Sequence, residues 1–235
     1  MLTTMKNQLM VAGIAVGVLA ASNAARATTI TQSWNIPTVG TPITINEPYN
    51  LFNSNLGTLN SVTIQLILDG TADIQVFNST GAPQTFTNAS TSVPLSVTGP
   101  PTVTTYISST ITASIPSGSV TSAPFTDFPG VAATFNSGLV GVPIIDWGSF
   151  AAFGGGASLF PLTFFGGAAT SSITSVCGIG AGGSATVGDA SSFLYLVYNY
   201  TPAVVTGVPE PGTWALLAAS GCVSLMGIRR RRTVK

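Results

Sequence analysis

Val62-Thr63-Ile64-Gln65-Leu66-Ile67-Leu68 runs into Asp69-Gly70-Thr71 and then into Ala72-Asp73-Ile74-Gln75-Val76. Aliphatic residues recur at every second position on both sides of the Asp-Gly pair. That period is the signature of a strand with one buried face, not of a helix. Asp-Gly is turn chemistry, so the stretch reads as a hairpin. A two-residue loop would oppose Leu66 to Asp73 and Ile64 to Gln75, mixing the faces. A three-residue loop at 69–71 opposes Leu68 to Ala72, Leu66 to Ile74 and Ile64 to Val76, leaving one face wholly apolar. Burial selects the second register.

The same alternation extends outward. Residues 28–202 are rich in Thr, Ser, Val, Ile and Gly, with Pro or Gly clusters every ten to fifteen residues. Val103, Ile107, Ile111 and Ile115 share one parity, with Ser or Thr mostly opposite. Phe193, Tyr195 and Val197 share a face near the end, with Leu194, Leu196 and Tyr198 on the other, as in a strand covered on both sides. No amphipathic helix stands out. Short strands separated by turn residues predict an all-β domain, an antiparallel β-sandwich or jelly roll.

Charge divides the chain into three. Of 235 residues only 14 are charged, 6% where soluble domains average about 25%. Lys6 and Arg26 lie near the N-terminus; Glu210, Arg229 to Arg232 and Lys235 lie near the C-terminus. Between them stand Glu47, Asp69, Asp73, Asp127, Asp146 and Asp189, and residues 28–208 contain no Lys, Arg or His. So few cations cannot build a nucleic-acid-binding surface.

Both ends read as addresses. Lys6 precedes the apolar run Leu9 to Ala21, and Ala25-Arg26-Ala27 places small residues at the two positions a signal peptidase requires. Residues 1–27 are therefore expected to be a secretory signal peptide cut after Ala27; the competing reading is an uncleaved membrane helix. At the other end Val208-Pro209-Glu210-Pro211 precedes an uncharged apolar run from Thr213 to Ile228, followed by Arg229, Arg230, Arg231 and Arg232. Counted from Gly212, the run reaches about 25 Å as a helix, enough for a single transmembrane span, with the arginines held cytoplasmic. The two prolines keep the motif extended and outside that helix.

This tripartite tail resembles the PEP-CTERM sorting signal. The resemblance implies that Val208, Pro209, Glu210 and Pro211 are a recognition motif for an integral-membrane exosortase of Gram-negative bacteria. It implies cleavage near that motif and delivery to the cell surface or beyond, with a membrane intermediate. A permanent single-pass anchor is the alternative. The middle domain resembles the choice-of-anchor E group of exported bacterial domains, through Ile30-Thr31-Gln32-Ser33-Trp34, Leu56-Gly57-Thr58-Leu59-Asn60-Ser61-Val62-Thr63 and Val197-Tyr198-Asn199-Tyr200-Thr201-Pro202. That likeness brings no catalytic or binding residue. The expected organisation is a signal peptide at 1–27, a β domain at 28–202, a linker at 203–207 and a sorting signal at 208–235. The family resemblance also implies an association with exopolysaccharide or biofilm.

The chemistry open to the middle domain is narrow. Without histidine or lysine there is no base for a serine or cysteine nucleophile, no Schiff-base amine and no histidine-bearing zinc site. The glycine runs Gly154-Gly155-Gly156 and Gly178 to Gly183 lack the lysine of a phosphate loop. Cys177 reads as a small buried hydrophobe and Cys222 falls in the tail run, so no disulfide, no cofactor and no catalytic residue are expected. A non-catalytic surface or extracellular-matrix protein is the first expectation. The alternative is a carbohydrate- or calcium-binding module, using Trp34 and Trp147 as stacking platforms or Asp69 and Asp73 as hard-cation ligands. A hydrolase that works with two facing carboxylates is the third. The sequons Asn78-Ser79-Thr80, Asn88-Ala89-Ser90 and Asn199-Tyr200-Thr201 are what a Thr/Ser-rich composition yields by chance.

Overall fold

The Val62–Val76 stretch does not turn back on itself. In the computed structural model, which describes residues 26–101, 103–121, 125–175 and 178–203, it lies inside one extended strand of 22 residues. Along the chain the strands are β1 (Thr28–Asn35), β2 (Val39–Gly40), β3 (Ile43–Glu47), β4 (Phe52–Asn53), β5 (Gly57–Asn78), β6 (Gln84–Gly99), β7 (Thr104–Ile115) and β8 (Gly118–Val120). They continue as β9 (Phe125–Asn136), β10 (Val140–Gly141), β11 (Ala151–Ala152), β12 (Leu162–Gly166), β13 (Thr170–Ser175), β14 (Ile179–Val187) and β15 (Phe193–Pro202). Among the described residues the only helical turns are short 3-10 pieces at Ser54–Leu56 and Ile144–Ser149.

The expected hairpin is thus a correction, and its cause is visible in the parity. Buried positions on β5 are Val62, Ile64, Leu66, Leu68, Ala72, Ile74 and Val76, every second residue straight through the Asp-Gly pair. A three-residue loop and an uninterrupted strand leave the same residues on the same face, so periodicity cannot separate them. Flanking strands supply what a turn would have supplied. Asp69 opposes Thr134, and Gly70 opposes both Ala133 and Val187. Gly70 is required there: a Cβ would stand 2.7 Å from the backbone oxygen of Thr186.

Two sheets share one plan. β5 carries β15 along Gly57–Ile67 and β14 along Gly70–Asn78 on one side, with β9 and β10 on the other. β1 lies outside β15, and β2 outside β14. In the second sheet β6 is central, with β7 and β8 on one side, β12 and β13 on the other, and β3 outside β12. Counting each collinear pair as one strand, the described residues of these two sheets make eight. Numbered along the chain, they stand in the order six-three-eight-one in one sheet and five-four-seven-two in the other. This is the strand order of a jelly roll, an antiparallel β-sandwich of interleaved Greek keys. A small parallel pair, β4 with β11, closes one end.

One apolar core lies between the sheets, with Ile64, Leu66, Leu68 and Ile74 of β5 facing Val93, Leu95, Val97, Ile107 and Ile111 of β6 and β7. Each such aliphatic side chain contributes on the order of 1.5–3 kcal/mol when fully buried. The expected parity holds on β7 for Ile107, Ile111 and the half-buried Ile115. Val103 departs from it: it precedes β7 in the turn after β6, with positive φ and its side chain in solvent. β15 is covered on one face only, since Leu194, Leu196 and Tyr198 are buried while Phe193, Tyr195 and Val197 are half-exposed.

Candidate functional site

The place where functional groups converge lies on β5 at Asp69, where the strand passes from β15 to β14. The loop Gly188–Ser192 between those two strands folds back over it. Gly188 takes φ +87, and a Cβ there would meet the carbonyl oxygens of Pro37 and Ile36 at 2.3 and 2.5 Å. Only glycine fits so close to the β1–β2 connection. Gly188 N donates to Asp69 O at 2.8 Å, and Asp69 N donates to Ser192 Oγ at 2.9 Å. Asn35 Nδ2 donates to Asp189 O and Ser192 O from the neighbouring strand.

Inside this frame two carboxylates meet. Ser191 N and the hydroxyls of Ser191 and Ser192 all reach Asp189, at 2.8–3.0 Å. These hydrogen bonds, led by that of Ser192, hold the Asp189 carboxyl below the usual carboxylate range. Ser191 Oγ also lies 2.8 Å from Asp69 Oδ2. A hydroxyl carries one proton, so Ser191 serves one carboxylate at a time while the other faces an oxygen without a hydrogen between them. The two acids border a groove of about 360 Å³, whose walls include Thr38, Thr71, Thr134 and Thr186.

Asp73, paired with Asp69 in the sequence reading, is elsewhere. Four residues along a single strand separate the two carboxylates by about 13 Å. Asp73 Oδ1 accepts from Gly130 N at 2.8 Å, closing the irregularity where β9 slips against β5. Asp127 lies on β9 opposite Gln75. Glu47 ends β3, where burial raises its affinity for a proton. Asp146 is buried in the 3-10 turn Ile144–Ser149. Among the described residues no three of His, Cys, Asp and Glu gather as a metal-ligand group.

Both indoles pack against the core. Trp34 of β1 and Trp147 are half-buried, and Trp147 Nε1 donates to Val142 O at 3.0 Å. Asn78, first of the sequons, is buried with its amide committed: Nδ2 donates to the carbonyls of Ala82, Val120 and Thr121, while Oδ1 accepts from Thr80. Ala27 is exposed just before β1. Its partner Ala25, the motif Val208 to Pro211, the span Thr213 to Ile228, the arginines 229–232 and both cysteines lie outside the described residues. Among those described, no helix is long and apolar enough to cross a membrane.

The sequence reading missed Asp189, Ser191 and Ser192. Asp189-Ala190-Ser191-Ser192 carries a local signal, an aspartate whose side chain can cap the amide two residues on. Its meeting with Asp69 across 120 residues of chain has none.

No family model matches the chain, and no curated protein matches it. Similar solved structures include that of infectious bursal disease virus Gx strain, at 15% identity and a TM-score of 0.21, covering 78% of this chain and 38% of that one. The Gt strain structure is similar at 16% identity and a TM-score of 0.19, covering 77% and 39%. The T=1 particles derived from the same virus match at 11% identity and a TM-score of 0.17, covering 74% and 36%. The chain thus spans less than two fifths of each of these chains.

Proposed function

We propose that this chain is an exported, non-catalytic protein of the cell surface or extracellular matrix, delivered by a signal peptidase and an exosortase and associated with exopolysaccharide. The observation that carries the reading is the partition of the chain. A β domain without a single cation is flanked by an apolar leader and by a tail that joins Val208 to Pro211, an apolar span and four arginines. The tail motif acts as a recognition sequence and Arg229 to Arg232 set the orientation of the span.

Intact mass distinguishes the outcomes. The protein recovered from a strain with an exosortase is expected to lack Trp214 to Lys235, and from a strain without one to retain them. Retention of that segment in both strains sinks the sorting claim.

The groove supports a second reading, a hard-cation-binding module. Asp69 and Asp189 place more acceptor oxygens around Ser191 than its proton can satisfy, and no cationic side chain competes for them. Calcium is expected to raise the melting temperature of the wild type and not that of Asp69→Asn. An equal response in both proteins would remove the reading.

A further inference from the structure

The sandwich has two unlike ends. At one end β1 begins, with Thr28 opposite Tyr200, and β15 finishes, with Pro202 opposite Gly57. β3 ends and β12 begins there too, Glu47 opposing Leu162. Over this end runs the long connection from β10 to β12, residues 142–161. It is tied inward by its backbone: Val142 N donates to Val62 O, Phe52 N to Phe150 O, Leu51 N to Gly156 O, and Ser158 N to Tyr49 O. Phe150 plugs the end of the core, stacked on Tyr49 and edge-on to Tyr106.

With its backbone secured inward, the connection turns large apolar side chains outward. Ile144, Ile145, Phe153, Leu159 and Phe160 are 60–93% exposed, and Leu56 joins them from the turn that precedes β5. Ser54 Oγ reaches Ala152 O at 3.4 Å, which brings that turn beside the connection. The one charged residue between 142 and 161, Asp146, is buried, so the exposed part is uncharged. At the opposite end the exposed aromatics Phe77 and Phe125 cover one another instead. Uncharged apolar groups held out by a fixed backbone mark a contact face.

The chain itself indicates what covers it. Both strands that lead out of the domain, β1 backwards from Thr28 and β15 forwards from Pro202, depart at this same end. Only nine residues, 203–211, separate Pro202 from the apolar run that starts at Gly212, a reach of about 30 Å when extended. We propose that the face formed by Ile144, Ile145, Phe153, Leu159 and Phe160 seats in the interface of a lipid bilayer, holding the jelly roll end-on against the membrane while the tail is still attached. This rests on the sorting reading, in which the tail occupies that bilayer. Because the domain is acidic and cation-free, the attraction is apolar and needs no anionic lipid.

The full chain is reconstituted in phosphatidylcholine vesicles, with one fluorophore-labelled cysteine at a time in a background where Cys177 and Cys222 are alanine. Phe153→Cys and Leu159→Cys probe the face, Ala82→Cys probes the opposite end, and native Cys222, restored alone, probes the tail. A lipid-borne nitroxide quencher is expected to lower the emission at 153 and 159 about twofold or more and to leave 82 unchanged. No quenching at 153 and 159 overturns the inference whatever Cys222 reports. So does shielding at those positions that appears without lipid and grows with protein concentration, which would assign the face to a second copy. Absence of quenching at Cys222 overturns the tail reading instead, and the two failures are thereby told apart.

Discussion

Asn78 shows how much a single polar residue can organise in a domain without ion pairs. It is the last residue of β5, buried, and its amide gathers the carbonyls of Ala82, Val120 and Thr121 at 2.8–3.3 Å while its oxygen takes the Thr80 amide and hydroxyl. The side chain thereby ties the β5–β6 turn to the strand-end at β8. Replacing it by alanine removes every one of these partners and leaves Val120 O without its side-chain donor. Asn78→Ala is expected to cost about 1–3 kcal/mol, read as a lower midpoint of urea unfolding with an unchanged slope. A midpoint equal to that of the wild type would mean that water replaces the amide at no cost. Sequence reasoning could recognise Asn78-Ser79-Thr80 as a polar, turn-prone triplet and nothing more. Its partners at 120 and 121 are set by tertiary pairing. The same applies to Ser191, whose local partner Asp189 was readable and whose distant partner Asp69 was not.

At the scale of elements, β5 is where the sequence spoke most clearly and was still misread. The buried parity from Val62 to Val76 was legible, and so was the all-β class, because alternation reports which face is buried. It does not report whether the chain continues or reverses when the interruption has odd length. Gly70 decides between the two in the folded protein. Its inward side abuts the backbone at Thr186, so Gly70→Ala forces either β14 or β5 to move and is expected to destabilise by about 1–3 kcal/mol. In a hairpin loop open to solvent the same substitution would have met no such backbone, so a stability within error of the wild type would contradict the continuous strand. The connection 142–161 is illegible in the sequence for a different reason. Ile144, Ile145, Leu159 and Phe160 look like core residues by hydropathy, yet they show no strand alternation. Only the backbone hydrogen bonds to residues 49–52 reveal that they are held outward.

For the whole molecule, the absence of cations between residues 28 and 208 sets the response to pH. Acid usually unfolds proteins by protonating carboxylates that are paired with cations, and this domain has no such side-chain pairs to lose. Hydrogen bonds from Ser192 and Ser191 lower the affinity of folded Asp189 for a proton, so its contribution persists until the pH falls below the ordinary aspartate value of 3.8. Glu47 works in the opposite direction. Burial raises its proton affinity, so neutralising it as the pH approaches its ordinary 4.5 favours the fold. The alkaline side carries the liability. Tyr49, Tyr106 and Tyr198 are clustered under the apolar end, their hydroxyls donating to the carbonyls of Ser149, Pro100 and Asn50. Burial raises the pKa of all three above 10.0, and neighbouring charge adds to it at Tyr106 and Tyr198. A group whose folded pKa lies above its unfolded value stabilises fully below the unfolded value and loses that contribution as the pH rises through the folded one. Thermal melts should therefore vary little from neutrality down to about pH 4 and fall steeply above pH 10, with cooperative unfolding and tyrosinate absorbance appearing together. Replacing Tyr198 by phenylalanine should move that alkaline transition upward. A domain that melts first in acid, or whose tyrosines all ionise while the sheets remain intact, would refute this account of the cation-free fold.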